Sequence, residues 1–183
     1  MPLRDAIQAR RSQRVFSPRT LRLDDPADRQ LLSDLLWAAF GQISPKRRSA
    51  PSSHNRQETD LYVLLEEGSF RYDSVENKLV EVSEEDLRAA SGSQDYVGTA
   101  PLELAYVADK SKITGKTPRG VVETCYVDTG FISQNVYLFC ASEGLATVVR
   151  AMVPKDSLSA KLNLSPDQEI TLVQTVGWKP EEK

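Results

Sequence analysis

The chain has 183 residues, a hydrophobic fraction of 40% and a charged fraction of 27%, values typical of one folded globular domain. Its net charge of -3 excludes a general attraction to nucleic acid or anionic membranes, so any basic site must be local. No apolar run approaches the ~20 residues of a membrane helix, and the start MPLRDAIQAR lacks the apolar stretch of a signal peptide. We therefore expect a cytoplasmic protein with a single domain over residues 1–183.

The predicted elements begin with two helices. Pro2 suits the first turn of a helix that ends near Arg11 or Ser12. Residues 24–41 predict a second helix, with Asp25 as its N-cap. The remaining segments predict a polar loop at 43–57, a strand at 59–67, a hairpin at 69–82, a short capping-box helix at 83–91 and a strand at 100–109.

The second half of the chain contains the longest predicted helix. Residues 123–144 are apolar nearly all round, so this helix should be buried in the core or against a partner chain. Phe131 and Phe139 are candidates for such a contact. A polar loop precedes this helix, and a strand, a short helix and a last strand follow it, over residues 110–121, 145–153, 155–164 and 169–178. This order favours an α+β fold with a largely antiparallel or mixed sheet.

Several kinds of site are poorly supported by the composition. Cys125 and Cys140 are the only cysteines, and one helix carrying both would hold them ~22 Å apart, too far for a disulfide. His54 is the only histidine and is interpreted as a polar loop residue, so zinc sites and Ser-His-Asp or Cys-His catalysis are not indicated. The nine glycines form neither GxGxxG nor GxxxxGKS/T, which argues against a Rossmann dinucleotide site and a P-loop.

Residues 8–17, QARRSQRVFS, place three arginines and two serines at the end of the first helix. Arginine presents a planar fork of donors that suits phosphate, and serine adds a hydroxyl. An alternative is that Arg10 and Arg11 only complement the helix dipole, for ~0.3–1 kcal/mol each. That alternative explains Arg14 less well, because Arg14 lies beyond the predicted helix.

A second polar stretch, PSSHNRQ, follows at residues 51–57. Pro51 stiffens this loop, while Ser52, Ser53 and Asn55 offer hydroxyl and amide groups to a ligand. The alternative is an ordinary turn, because Ser and Asn also satisfy the backbone groups of turns.

Six segments together resemble one family of flavin enzymes. RRSQRVF, LLWAAFG, APSSHNRQETDLYVL, GSQDYVGTAP, DTGFISQNVYLFCASEGLATVV and VGW follow one another as in the nitroreductase family. The similarity extends from about residue 4 to residue 179. The hairpin RYDSVENKLVEV is similar to the short branch that includes thiazole- and oxazole-forming dehydrogenases.

The resemblance implies an intertwined homodimer, with a central sheet flanked by helices and FMN at the interface. It implies that Arg10 and Ser12 meet the FMN phosphate and that Arg14 and Gln94 meet the pyrimidine edge, with Arg11 contributing nearby. The polar stretch at residues 51–57, here called the serine loop, would cross the flavin ring, partly from the partner subunit. Weaker candidates line the other edge of the ring, and the cofactor-binding residues implied are Arg10, Arg11, Ser12, Arg14, Pro51, Ser52, Ser53, Asn55, Gln94, Thr147, Val149, Arg150 and Ala151.

The activity implied is ping-pong hydride transfer from NAD(P)H through flavin N5 to a nitroaromatic, a quinone or a similar electrophile. Such chemistry needs no catalytic side chain and no metal, because the flavin reacts and the protein supplies shape and electrostatics. Two alternatives stay open. In the first, the flavin works in the other direction and oxidises a substrate bond; in the second, the protein binds flavin with little turnover.

Overall fold

The computed structural model describes residues 1–181, so the last two residues of the predicted domain lie outside the described part. Four α-helices accompany eight strands in this part of the chain. The helices are α1 Leu3–Ala9, α2 Pro26–Phe40, α3 Pro118–Ser142 and α4 Lys155–Lys161. The strands are β1 Gln42–Ser44, β2 Arg47–Arg48, β3 Thr59–Leu65, β4 Gly68–Asp73, β5 Lys78–Ser83, β6 Leu102–Asp109, β7 Leu145–Arg150 and β8 Gln168–Trp178.

Six of the strands form one sheet in the order β5-β4-β3-β6-β8-β7, and every neighbouring pair is antiparallel. This confirms the predicted α+β fold. β3 and β6 are buried on both faces, because α2 and α3 cover one face of the sheet and α4 packs on the other. β7 is an edge strand of this sheet, and its free side is where the segment after α1 is attached.

The predicted hairpin at residues 69–82 is confirmed as β4 and β5. The carboxylate of Asp73 accepts the backbone N–H groups of Val75 and Glu76 at 3.0 and 3.1 Å, and Asn77 takes a left-handed conformation that closes the turn. The predicted loop at 43–57 additionally contains the short hairpin of β1 and β2.

The predicted helix at residues 83–91 is wrong. Ser83 ends β5, and its hydroxyl accepts the N–H of Glu85 at 3.1 Å. The carboxylate of Asp86 accepts the backbone N–H of Arg88 at 3.0 Å. Ser83 and Asp86 thus each accept the N–H group two residues ahead and do not form the reciprocal capping box. Only a 3-10 turn forms, at Ala89–Ser91.

The long helix α3 begins at Pro118, earlier than predicted, because Thr117 caps it by accepting the N–H of Gly120 at 3.2 Å. One side of α3 is buried against the sheet. The opposite side is apolar but open to solvent in the single chain, with Val127 57% and Phe131 45% exposed. Burial of this second side would therefore require another chain. Both cysteines of α3 are buried free thiols, as expected from their separation.

Candidate functional site

The segment after α1 is fixed to the open edge of the sheet. The backbone N–H of Gln13 donates to the carbonyl of Thr147 in β7 at 2.9 Å, and that of Ser17 donates to the carbonyl of Trp178 at 2.8 Å. α1 ends at Ala9, so the arginine-rich stretch is extended rather than helical. The helix-dipole alternative stays open for Arg10, which is the C-cap residue of α1, whereas Arg11 and Arg14 lie beyond the helix.

Tyr137 of α3 connects this segment to the edge strand. Its hydroxyl is 2.8 Å from the hydroxyl of Ser12 and accepts the backbone N–H of Val149 at 3.0 Å. The guanidinium of Arg10 lies 5.3 Å from the centre of the Tyr137 ring, within the range of a cation–π interaction. The tertiary structure thus brings together Arg10, Ser12 and Val149, which the sequence placed in one predicted site.

Arg14 lies near Tyr96, and Gln94 contacts Arg150. Burial raises the pKa of Tyr96, and the neighbouring positive charges of Arg150 and Arg14 oppose that rise. Gln94 accepts a hydrogen bond from the Arg150 guanidinium at 3.2 Å. Tyr96 and Arg150 therefore link the two residues that were predicted to face a pyrimidine ring.

Arg150 is a buried internal residue. It forms an ion pair with Glu103 at 2.5 Å, and its other N–H groups donate to Thr175, to Ser91 and to Gln94. All five donors of the guanidinium are used in this way. The structure therefore gives Arg150 a positioning role through Gln94, and a direct cofactor contact by Arg150 stays a prediction.

Two further observations concern the ion pair of Arg150 and Glu103. Burial raises the pKa of Glu103 to about 7, while Arg150 and Thr175 oppose the rise. Gly92 allows the close approach of the guanidinium, because a Cβ atom there would lie 2.1 Å from Nη1 of Arg150.

The remaining candidates beside β7 differ in exposure. Thr147 is buried, and its hydroxyl donates to the carbonyl of Thr175 at 2.7 Å and accepts from Gln174 at 3.0 Å. Val149 is half-buried and Ala151 is exposed. Of these residues, only Val149 and Ala151 offer a ligand an accessible surface.

The serine loop is bonded to α3 through Asp128. The backbone N–H of Ser53 donates to the carboxylate of Asp128 at 2.7 Å, and the hydroxyl of Ser52 accepts the N–H of Gln57 at 2.9 Å. His54, Asn55 and Gln57 have φ angles of 55°, 54° and 52°. Such left-handed residues are uncommon outside glycine, and a non-glycine cluster of them is typical of a functional loop. Pro51 and His54 are exposed, as expected for a polar loop.

A buried pair of carboxyl groups lies beneath this loop, and the sequence analysis missed it. Glu58 is fully buried, and neither carboxyl oxygen has a hydrogen-bond donor within residues 1–181. Burial raises the pKa of Glu58 to about 7, the adjoining Asp128 raises it further and Lys112 lowers it. In the sequence, only the position of Glu58 directly before the buried strand β3 indicated that its carboxyl group would be buried.

One chain does not bring the two predicted halves of the site together. Tyr137 contacts the arginine segment (residues 10–14), and Asp128 binds the serine loop. Nine positions of α3 separate Tyr137 from Asp128. An α-helix rises ~1.5 Å per residue, so the two attachment points are ~14 Å apart along the axis. A site that uses both halves therefore requires a second copy of the chain or a ligand that spans this distance.

Comparison with known proteins assigns this arrangement to a family. A family model described as the nitroreductase family matches residues 7–178. The chain belongs to the nitroreductase family. A nitroreductase-type protein of Methanocaldococcus jannaschii is 29% identical over 159 residues, covering 80% of this chain and 76% of the relative.

Solved structures agree with this assignment. A nitroreductase from Ralstonia eutropha JMP134 has a TM-score of 0.89 and 36% identity, covering 100% of this nitroreductase-family chain and 85% of the other. The Escherichia coli microcin synthetase complex McbBCD contains a chain with a TM-score of 0.79 and 18% identity, covering 94% and 70% respectively. At that identity the second match shows a shared fold only.

The described residues contain no group of three His, Cys, Asp or Glu side chains placed to hold a metal ion. Within the same part of the chain, no helix combines the length and apolar character needed to cross a bilayer. The family assignment supports an oxidoreductase.

Proposed function

We propose that this chain is an FMN-dependent oxidoreductase that works as a homodimer in the cytoplasm and uses NAD(P)H as its hydride donor. One observation carries the proposal. Arg10, Arg11 and Arg14 lie within five residues on the segment attached to the sheet edge, and none of them has a carboxylate partner within 4.0 Å among residues 1–181. Three neighbouring cations without counter-ions suit a ligand with a phosphate group.

The residues at this edge fit FMN in their donor chemistry. Arg10 and Ser12, both attached to Tyr137, would bind the phosphate, with Arg11 beside them. Arg14 and Gln94 would bind the pyrimidine edge, since one carries a positive charge and the other an amide. Bound FMN would accept a hydride from NAD(P)H and deliver it to an electrophile such as a nitroaromatic or a quinone.

The protein's own contribution would be electrostatic. The guanidinium of Arg14 stays charged at any ordinary pH, so it would favour negative charge on the adjoining ring edge and raise the reduction potential. Arg150 would act indirectly, by holding the carbonyl of Gln94 so that its amide N–H groups stay free for the ring.

The serine loop would complete the site from a second copy of the chain. A second copy is one of the two ways to bridge the ~14 Å offset along α3 between the two halves of the site. Exposed apolar side chains on α3 and around a groove of about 420 Å³ between α1, α2 and α3 support such a pairing, including Val127, Phe131, Trp37 and Ile43. In the dimer, Pro51, Ser52, Ser53 and Asn55 of one chain would approach the arginine segment of the other.

The experiment is the visible spectrum of the purified protein, with mass identification of the released chromophore. We expect stoichiometric FMN in the wild type and mostly colourless protein for Arg10→Glu. Arg4→Glu is the matched control, because Arg4 is an exposed residue of α1, just before the arginine-rich stretch. Full FMN content in Arg10→Glu would contradict the phosphate assignment.

Bleaching of the flavin by NADH or NADPH under anaerobic conditions tests the direction of the reaction. Rapid bleaching supports the proposed reductase. Bound flavin that neither nicotinamide reduces would contradict it and favour a dehydrogenase that oxidises a substrate bond, or a flavin-binding protein with little turnover.

A further inference from the structure

A polar cavity of about 260 Å³ opens where β3 begins, away from the arginine segment. Phe40 at the end of α2 and Tyr72 of β4 form its apolar walls. Three basic side chains, Arg48, Arg56 and Lys112, line the cavity together with a single carboxylate. The proposed flavin site makes no use of these three cations.

None of the three basic side chains is neutralised by an ion pair. Within 4.0 Å, the described residues supply no carboxylate to Arg48, Arg56 or Lys112. Arg48 donates to the side chains of Gln57, at 2.9 Å, and of Ser74. Burial lowers the pKa of Arg48, as is usual for a cation removed from water without a counter-ion.

The other two cations donate only to neutral groups of the described residues. Arg56 donates to the carbonyl of Ser53 at 3.1 Å, to the hydroxyl of Ser53 at 3.4 Å and to the carbonyl of Thr114 at 3.2 Å, and Lys112 donates to the carbonyl of Gln57 at 3.4 Å. Carboxylates act on Lys112 and Arg48 only from beyond ion-pair distance, so these cations can still bind an anion directly. An anion that entered the cavity would therefore be attracted by all three side chains.

A buried hydroxyl provides an independent sign of a missing ligand. Thr59 lines the cavity and is 2% exposed, and its Oγ1 atom has no hydrogen-bond partner in the described part of the chain. Buried polar groups nearly always have a partner, so an occupant that reached this hydroxyl from the cavity would supply the missing hydrogen bond.

The one carboxylate in the cavity is Asp60, which would oppose an anion. Burial raises its pKa, whereas the positive charges of Lys112, Arg71 and Arg48 lower it. With three cations and this one carboxylate, the lining carries a net charge of +2. A dianion would neutralise the cavity, and a monoanion would leave it positive.

We propose that this cavity binds a small metabolite through a phosphoryl group. A phosphoryl dianion matches the charge, offers acceptors to two guanidinium groups and can bond to the hydroxyl of Thr59. The volume is below the ~300 Å³ at which common ligand pockets begin, so it suits a compact phosphate ester and excludes a dinucleotide. Arg56 also donates to Ser53, so occupancy of the cavity would be transmitted to the serine loop.

The test is calorimetric titration of the FMN-saturated protein with inorganic phosphate at constant ionic strength, because saturation removes the flavin phosphate site from competition. Thr59→Val keeps the shape of the side chain and removes only the hydroxyl. Lys112→Gln removes one charge. We expect the dissociation constant for phosphate to rise about fivefold in the first variant, which loses an uncharged donor, and about tenfold in the second, which loses a cationic donor.

Lys161→Gln is the matched control, because Lys161 is an exposed cation paired with Glu85 on the opposite side of the sheet. Equal phosphate affinity in Thr59→Val, Lys112→Gln and the wild type would overturn the proposal, as would heats no larger than those from added chloride. The proposal is independent of the flavin assignment. If the protein binds no FMN, the same titration on flavin-free Arg10→Glu protein still decides it.

Discussion

The hydroxyl of Tyr137 lies 2.8 Å from that of Ser12 and accepts the backbone N–H of Val149 at 3.0 Å. A single phenol thereby joins the extended N-terminal segment, the long helix α3 and the edge strand β7. The predicted phosphate-binding residues depend on this contact for their position.

Tyr137→Phe should destabilise the protein and lower its affinity for FMN. The change leaves the Val149 N–H without its acceptor, which costs ~1–3 kcal/mol of unfolding free energy for a buried donor. Urea unfolding at pH 7 measures the loss, and fluorescence titration measures FMN affinity. Tyr126→Phe is the control, because the hydroxyl of Tyr126, also on α3, accepts a hydrogen bond only from Lys155 of α4 among the described residues, and the change should cost less than ~0.5 kcal/mol. Equal effects in both variants would contradict the role given to Tyr137.

Arg14→Ala should lower the reduction potential of the bound flavin, and Arg14→Lys should restore part of it. The physical reason is the loss of a permanent positive charge beside the predicted pyrimidine edge. Potentiometric titration against a reference dye measures the shift. Arg119→Ala removes an exposed arginine that pairs with Glu123 and serves as the control. An unchanged potential in Arg14→Ala would remove the role assigned to this residue.

Glu58→Gln should stabilise the protein at alkaline pH and leave its stability nearly unchanged at pH 5. Burial raises the pKa of Glu58 from 4.5 to about 7, so between these values the folded state binds more protons than the unfolded state. Stability from this group is therefore lost as the pH rises from about 4.5 to 7 and stays constant above.

The expected gain for Glu58→Gln at pH 8 is ~1–3 kcal/mol, since one pKa unit corresponds to ~1.4 kcal/mol and the pKa of Glu58 is raised from 4.5 to about 7. Urea unfolding at pH 5, 6, 7 and 8 gives the profile, with the exposed Glu81→Gln as control. Parallel profiles for Glu58→Gln and the wild type would contradict the raised pKa of Glu58.

Phe131→Asp should convert the proposed dimer into a monomer and release FMN. Phe131 is 45% exposed on α3, so a charge there costs the single chain little but would be buried without a partner in a dimer interface. Light scattering measures the mass, and the absorption spectrum measures retained flavin. Val75→Asp, at an exposed position of the β4–β5 turn, is the control. A flavin-loaded monomer, in the variant or in the wild type, would contradict a site shared between chains.

Much of the fold was predictable from local patterns in the sequence. The N-cap Asp25 and the apolar spacing defined α2, and the alternating residues around an Asp and Asn turn defined the β4–β5 hairpin. The failure at residues 83–91 had the same local origin, because Ser83 and Asp86 can cap a helix or bond within a turn. The neighbouring strand decided between these two outcomes.

The sequence alone determined that the chain concentrates arginines after its first helix, serines in a stiff loop and apolar residues all round its longest helix, because composition and periodicity are local properties. Only the tertiary structure decided which distant residues meet. It placed Ser12 against Tyr137, Glu58 beside Asp128, and Arg150 in a buried pair with Glu103. These contacts depend on how the sheet orders its strands, and burial there sets the charges and pKa values that a linear sequence leaves open.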